Sequence, residues 1–361
     1  MKYLQEYGDK SFHEVPFSEV DALVLSNLSY LKMDTIVPGF EDSAGVSWEQ
    51  MMQNPKADQM FSDPLYGKQH RRMFQLIRKS RRYGRIRAKY FMEWFDEEKE
   101  TQFAAVTFCL GPTSFFLSYR GTDETLVGWK EDFNMGYMKT VPSQREALAY
   151  LKGVARYTLA QGSQQAEMRL ILGGHSKGGN LAVYAASWAP KAVQQRIRRV
   201  YSFDGPGFQK KFYETIGFRR IEDRFCKIVP EQSLVGMLLS NYRRYRVVRS
   251  YGTGVMQHDL TQWKIRDGRF VYRSEMKKRS SRRYSVLNAW IESLSESQIV
   301  LFVDTLYELL RSAKVRTVAD LVKAPLRLLA VVRRNFRRLD HLRRRDLLQI
   351  IRKLFEAMMS I

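Results

Sequence analysis

The chain has 361 residues, of which 44% are hydrophobic and 13% aromatic, and its formal net charge is +22. This length holds one large domain with an appendage, or two domains, and the apolar content excludes a disordered chain. The first residues lack the apolar core of a signal peptide, and no uninterrupted run of about 18 apolar residues could cross a bilayer. We therefore expect a cytoplasmic protein, either free or held at the inner face of the membrane.

The high positive charge predicts attraction to a polyanion, which could be nucleic acid, an anionic lipid surface or an acidic substrate. Nucleic acid is the least favoured partner, because no recognised nucleic-acid-binding motif accompanies the charge. The two cysteines, Cys109 and Cys226, fall in predicted strands without CxxC or metal-ligand spacing. They predict free thiols in a reducing compartment, and no metal or cofactor is expected.

Two helical segments are predicted near the start of the chain. Residues 17–31 place apolar side chains on one helical face, with Ser18 as a plausible N-cap. Residues 68–90 are strongly basic but interrupted by apolar residues. They predict a helix whose basic face is either simply solvated or a surface for an anion.

Strands and helices then alternate. A hairpin is predicted from residues 103–110 and 114–119, and a long helix from residues 143–161. Further apolar strands are predicted at residues 170–172, 199–203, 225–229 and 245–249. This alternation predicts an α/β fold with a mostly parallel sheet and helices on both faces. In such sheets the reactive residues lie just beyond the carboxyl ends of the strands.

A nucleophile motif connects one of these strands to a helix. Gly174-His-Ser-Lys-Gly178 follows the strand and precedes an alanine-rich helical segment, which is the context that a nucleophile elbow requires. Ser176 would occupy a strained turn, and a side chain at either glycine would collide with the neighbouring strand or helix. The alternative is a tight strand-to-helix turn with an ordinary serine.

A serine nucleophile needs a base and an acid that orients the base. His258 is the candidate base, because it lies in a glycine-rich loop after the last strong strand. Asp204 is the favoured acid, because it ends the strand after the nucleophile helix and gives the order serine, acid, histidine. Glu231, at the end of the following strand, is the alternative acid. Asp259 is poorly placed to reach the ring of its own neighbour.

An oxyanion requires two pre-positioned N–H donors. The backbone N–H of Lys177, directly after the nucleophile, is one candidate. Thr122 lies in an earlier strand-end loop and could supply the second donor, with its hydroxyl as an addition. Asp123 and Asp132 are then expected to be structural, and His175 is expected to be structural as well.

These residues resemble a known group of enzymes. Phe116-Leu-Ser-Tyr-Arg-Gly-Thr-Asp123, with Trp129 and Asp132, and Gly174-His-Ser-Lys-Gly-Gly-Asn-Leu-Ala182 are similar to the class 3 lipases of the α/β-hydrolase superfamily. A bacterial lipase-like family of unassigned function is the closer match, over roughly residues 10–275. The resemblance implies Ser176 as nucleophile, His258 as base, and Thr122 with Lys177 at the oxyanion hole.

The chain also departs from the class 3 pattern. It has Pro230-Glu-Gln-Ser-Leu-Val235 where those lipases carry an Asp-x-Val-Pro type segment, so the acid stays open between Asp204 and Glu231. Lys177 replaces the usual leucine and is expected to put a charge beside the nucleophile.

The sequence predicts two regions, a lipase-like domain over residues 1–284 and a basic helical extension over residues 285–361. The extension either packs on the main domain with a solvated basic face or docks on a membrane surface or a partner.

The predicted function is hydrolysis of a carboxylic ester, in particular a lipid or acyl ester, through an acyl-enzyme. The alternative is a non-catalytic binding module on a hydrolase scaffold that docks on an anionic membrane or another polyanion.

Overall fold

A computed structural model describes residues 2–42, 44–64, 66–122, 126–160, 168–240, 242, 244–313 and 325–360. The strands are β1 Val46–Ser47, β2 Arg87–Asp96, β3 Thr101–Cys109, β4 Ser114–Tyr119, β5 Arg169–His175, β6 Ile197–Phe203, β7 Phe225–Pro230, β8 Tyr245–Val248, β9 Ile265–Arg266, β10 Arg269–Phe270 and β11 Tyr272–Arg273. The α-helices are α1 Lys2–Tyr7, α2 Glu19–Leu28, α3 Trp48–Gln53, α4 Gly67–Lys79, α5 Leu126–Asn134, α6 Pro142–Ala160, α7 Lys177–Trp188, α8 Lys191–Gln194, α9 Ile216–Arg219, α10 Lys278–Ser293, α11 Glu296–Ser312, α12 Pro325–Arg338 and α13 His341–Ser360.

Nine of the described strands form one mixed sheet in the order β1-β2-β3-β4-β5-β6-β7-β8-β11. The five central strands, β4 to β8, are parallel, and antiparallel strands flank them on both sides. Strand β5, which precedes the candidate nucleophile Ser176, is at the centre, with Gly174 opposite Tyr119 of β4 and Ser202 of β6. The predicted α/β class and the predicted hairpin of β3 and β4 are confirmed.

Helices cover both faces of this sheet, as the alternation predicts. One core contains apolar side chains of α2 and α4, and a second contains those of α6 and α7. The predicted N-cap at Ser18 is confirmed, because its hydroxyl accepts from the backbone N–H groups of Val20 and Asp21. Since each parallel strand is covered on both sides, polar groups gather at the strand ends, where the candidate site lies.

The basic stretch over residues 68–90 differs from the predicted single helix. Helix α4 ends at Lys79, and strand β2 begins at Arg87. Arg82 is not on a solvated face, because its guanidinium is buried against the Asp21 carboxylate at 2.6 Å. The Tyr3 and Tyr83 hydroxyls donate to the same carboxylate. These bonds fasten α2 to the turn before the sheet.

The last four described helices follow the sheet, as the predicted helical extension requires. Helix α10 begins at Lys278, so the predicted division between residues 284 and 285 falls inside a helix, and the division stays a prediction. The ammonium of Lys130 on α5 joins Asp304 of α11 at 2.7 Å, so the extension contacts the helix beside the candidate site. Among the described helices, none is both long enough and apolar enough to span a membrane.

Candidate active site

Ser176 joins β5 to α7 at the carboxyl end of the central strand. Its backbone has φ 55° and ψ −132°, a left-handed conformation that disfavours a side chain. A Cβ on Gly174 would come within 2.3 Å of the Gly178 carbonyl carbon, and one on Gly178 within 2.1 Å of the Tyr119 carbonyl oxygen. The collisions predicted for both elbow glycines are therefore present.

His258 and Asp204 meet beside this turn. Nδ1 of His258 lies 2.7 Å from Oδ2 of Asp204, and the Asp204 side chain is buried while that of His258 is partly exposed. The His258 ring lies 4.3 Å, centroid to centroid, from the ring of His175, the residue before the serine. Ser176 and His258 are both described, and no hydrogen bond joins their side chains in this structure. Such bonds commonly tighten only when substrate binds.

The two acid candidates occupy different environments. The second oxygen of Asp204 accepts a hydrogen bond from the Ser233 hydroxyl, so both carboxylate oxygens are engaged and the group is held toward His258. The Glu231 carboxylate instead forms ion pairs with Arg273 at 2.7 Å and Lys277 at 3.4 Å. Those two cations lower the pKa of Glu231 against the opposing effect of burial. Of the two candidates, Asp204 is therefore the carboxylate that contacts His258.

His175 holds the histidine loop in place. Its Nε2 lies 2.8 Å from the carbonyl oxygen of His258, which can only accept, so Nε2 carries the proton. Nδ1 then accepts from the Tyr30 hydroxyl at 2.9 Å. Burial lowers the pKa of His175 well below its ordinary value, which keeps the ring neutral and this arrangement intact. His175 thus links the Tyr30 side chain to the backbone of His258, the candidate base, which agrees with the structural role expected for it.

Thr122 and Lys177 flank the serine from two directions. Lys177 is the first residue of α7, where a backbone N–H has no partner within the helix. Thr122 follows β4, and its hydroxyl donates to Oδ2 of Asp132 at 2.5 Å. Because the Thr122 hydroxyl donates to Asp132, it is not available to an oxyanion. The backbone N–H of Thr122 is the donor that could serve that purpose. A Cβ on the adjacent Gly121 would lie 3.2 Å from that of Ser176, which shows how closely this loop approaches the serine.

The Lys177 side chain points away from the reacting groups. Its ammonium lies 2.9 Å from the Glu131 carboxylate and 2.8 Å from the carbonyl oxygen of Gln102, and both charged side chains are fully buried. The expectation of a charge beside the nucleophile is therefore wrong, because Glu131 neutralises that charge inside the core. The pair also fastens the first turn of α7 to α5 and β3.

Asp132 is the buried carboxyl next to this pair. Burial raises the pKa of Asp132 to about 6, although the Lys177 charge and the Thr122 hydroxyl act in the opposite direction. Asp123 and the Trp129 side chain lie outside the described residues. Within the described part of the chain, no three His, Cys, Asp or Glu side chains cluster in a way that could hold a metal ion.

Sequence reasoning missed several residues that support the site, namely Tyr30, Glu131, Ser233 and Gln257. Gln257 holds the loop from inside, because its amide donates to the Gly252 carbonyl and accepts from the backbone N–H of Gln232. Its position directly before the candidate base was a usable signal. Tyr30 gave none, because 145 residues separate it from His175.

Three solved lipase structures resemble the chain at low identity. The crystal structure of M37 lipase is 14% identical and covers 61% of this chain and 70% of its own, with a TM-score of 0.39. The Rhizomucor miehei lipase propeptide complex is 12% identical, with coverages of 64% and 67% and a TM-score of 0.36. Lipase II from Rhizopus niveus is 12% identical, with coverages of 63% and 86% and a TM-score of 0.32. No curated protein matches the chain.

The fold is that of an α/β hydrolase, with parallel central strands and a strand-turn-helix elbow at their carboxyl edge. A family model described as Mbeg1-like matches residues 77–308, which is more than half of the chain and contains Thr122, Ser176, Asp204 and His258. The lipase-like relationship predicted from the sequence is confirmed, and the chain belongs to the Mbeg1-like family.

Proposed function

We propose that this protein is a serine hydrolase that cleaves carboxylic esters, in particular lipid or acyl esters. The observation that carries the proposal is the 2.7 Å contact between His258 Nδ1 and a buried Asp204, formed beside a serine at a strained strand-to-helix turn. A buried carboxylate on one imidazole nitrogen directs the other nitrogen to act as the base. Backbone strain of this kind is concentrated at functional sites.

In the proposed mechanism, Oγ of Ser176 attacks the ester carbonyl carbon and its proton passes to Nε2 of His258. Asp204 stabilises the resulting imidazolium through Nδ1–H. The carbonyl oxygen becomes an oxyanion that accepts from the backbone N–H groups of Lys177 and Thr122. When the tetrahedral intermediate collapses, the Nε2 proton passes to the departing alkoxide. Water, deprotonated by His258, then releases the acid and restores the serine.

The test is turnover of a series of chromogenic acyl esters of increasing chain length. We expect the natural protein to hydrolyse part of the series, with Ser176→Ala and His258→Ala reduced to background while both variants stay folded. A folded natural protein that hydrolyses none of these esters would favour the non-catalytic binding module.

The identity of the acid has a separate test. Asp204→Asn should lower kcat on the order of 10³-fold or more, because an amide cannot stabilise the imidazolium. Asp259→Asn is the matched control, since this neighbour of the candidate base caps the next turn, where its carboxylate accepts from Thr261 and Gln262. Equal losses in the two variants would contradict the assignment of Asp204.

A further inference from the structure

Helix α13 has a broad apolar face, of which one part is packed and the adjoining part is exposed. Leu347 and Ile350 are buried, and the packed side is fixed to α10 because the Trp290 indole N–H donates to the Ile350 carbonyl at 3.0 Å. The Lys353 ammonium adds a bond to the Ser293 carbonyl at 2.7 Å. These contacts fix the rotation of α13 on α10 and so determine which of its residues face away from the protein.

The part of this face that adjoins the packed residues is apolar and exposed. We call it the outer stripe; its members are Leu348, Ile351, Phe355, Met358 and Met359. Their spacing of three, four, three and one residues keeps them on one side of a helix. Phe355 is 61% exposed and Met359 is 87% exposed, while Ile351 is the least exposed member at 37%, so most of the stripe is uncovered by the described residues. Single exposed apolar residues are ordinary, but a continuous stripe indicates an interaction surface.

Cationic side chains border the outer stripe. At 100° per residue, Arg345 and Arg352 lie along one edge of it, and both side chains are exposed in surface ion pairs with Asp346 and Glu356. Helix α13 carries five cations against two carboxylates, and the preceding helix α12 carries four arginines in its described C-terminal half, Arg333, Arg334, Arg337 and Arg338. An apolar stripe with a basic edge is the pattern of a helix that lies in a membrane interface.

We propose that the outer stripe of α13 docks this protein flat on an anionic phospholipid surface. The apolar side chains would enter the boundary between head groups and acyl chains, while Arg345 and Arg352 would contact the lipid phosphates. A second copy of the chain fits the stripe less well, because both partners would bring the same basic flank and a net charge of +22. The proposal is independent of the chemistry at Ser176.

The experiment is co-sedimentation of the full chain with vesicles of phosphatidylcholine and phosphatidylglycerol in equal parts, and with vesicles of phosphatidylcholine alone. We expect binding to the mixed vesicles only, weakening as salt is added. The double variant Leu348→Ser/Phe355→Ser should lower the partition coefficient at least about tenfold. Arg345→Gln and Arg352→Gln should each lower it about fivefold.

Ile216→Ser is the matched control, because Ile216 is 70% exposed but lies on α9, away from the outer stripe. It should leave binding unchanged. Circular dichroism and the unfolding midpoint show whether each variant is folded, and turnover of a soluble short-chain ester should be the same in all of them.

Three results would overturn the proposal. The first is equal vesicle binding by the natural protein and a folded Leu348→Ser/Phe355→Ser variant, and the second is an equal loss in Ile216→Ser. The third is self-association of the natural protein in size-exclusion chromatography that the double variant abolishes, without vesicle binding by either. That outcome would assign the stripe to a second copy of the chain.

Discussion

At the scale of single residues, two members of the candidate site have left-handed backbones. Ser176 has a φ of 55° and Asp204 a φ of 50°. Each follows a central parallel strand, where the chain turns sharply to leave the sheet. Such a backbone costs on the order of 1–3 kcal/mol for a residue with a side chain. Contacts in the surrounding fold must offset that cost. The sharp turns place the side chains of Ser176 and Asp204 at the edge of the sheet.

This strain predicts an unusual order of stabilities at Ser176. Ser176→Gly should have a free energy of unfolding about 1 kcal/mol higher than Ser176→Ala, because glycine adopts positive φ without a steric cost. The control is Ser187, within helix α7, where the alanine variant should be the more stable of the two by about 1 kcal/mol. Urea unfolding measures both pairs. If Ser176→Ala were more stable than Ser176→Gly, as is expected at Ser187, the turn would not be strained.

The sequence pointed to the candidate catalytic residues but not to the residues that hold them. Ser176, Asp204 and His258 each follow a predicted strand, and a local pattern was enough to find them. Tyr30 and Ser233 reach the site from distant parts of the chain, so no spacing connects them to it. The position of Lys177 was predicted, but the direction of its side chain depended on a buried partner, Glu131, that no pattern indicated.

At the scale of elements, strands β3 to β8 could be predicted and the remaining strands could not. The C-terminal halves of β4 to β8 are buried, and the apolar residues there produce a strong signal. Strand β2 begins at Arg87 inside a basic stretch, and this stretch was interpreted as a continuing helix. Strands β1, β9, β10 and β11 have only two residues each, too few for any periodicity.

Helix α7 depends on a buried ion pair for its position. Lys177→Met should lower the free energy of unfolding by about 3–5 kcal/mol, because it leaves the Glu131 carboxylate buried without its cation. The double variant Lys177→Met/Glu131→Gln should recover part of that loss. Arg352→Gln is the control, since its ion pair with Glu356 is exposed and contributes under about 1 kcal/mol. A loss for Lys177→Met as small as the control's would contradict the structural role of the pair.

At the scale of the whole molecule, stability should depend on pH through a buried histidine. Burial lowers the pKa of His175 well below 6.5, so the folded state binds fewer protons than the unfolded chain just below that pH. The free energy of unfolding should therefore fall as the pH decreases below about 6.5, by about 1.4 kcal/mol per pH unit from this group. His70, also buried with a lowered pKa, contributes in the same direction.

The measurement is urea unfolding of the natural protein and His175→Gln over a series of pH values. The variant should be less stable throughout, because it loses the bonds to Tyr30 and to the His258 carbonyl. Its stability should also decline less steeply with falling pH. Equal slopes for the two proteins would show that His175 does not titrate differently on unfolding.

The central claim is that Ser176 is an activated nucleophile, and labelling with a fluorophosphonate probe tests it most directly. The probe reacts with a serine only where a neighbouring base removes the hydroxyl proton. We expect the natural protein to be labelled, peptide mapping to place the adduct on Ser176, and Ser176→Ala and His258→Ala to lose the label while remaining folded. A folded natural protein that takes up no probe, or a label that persists in Ser176→Ala, would contradict the account.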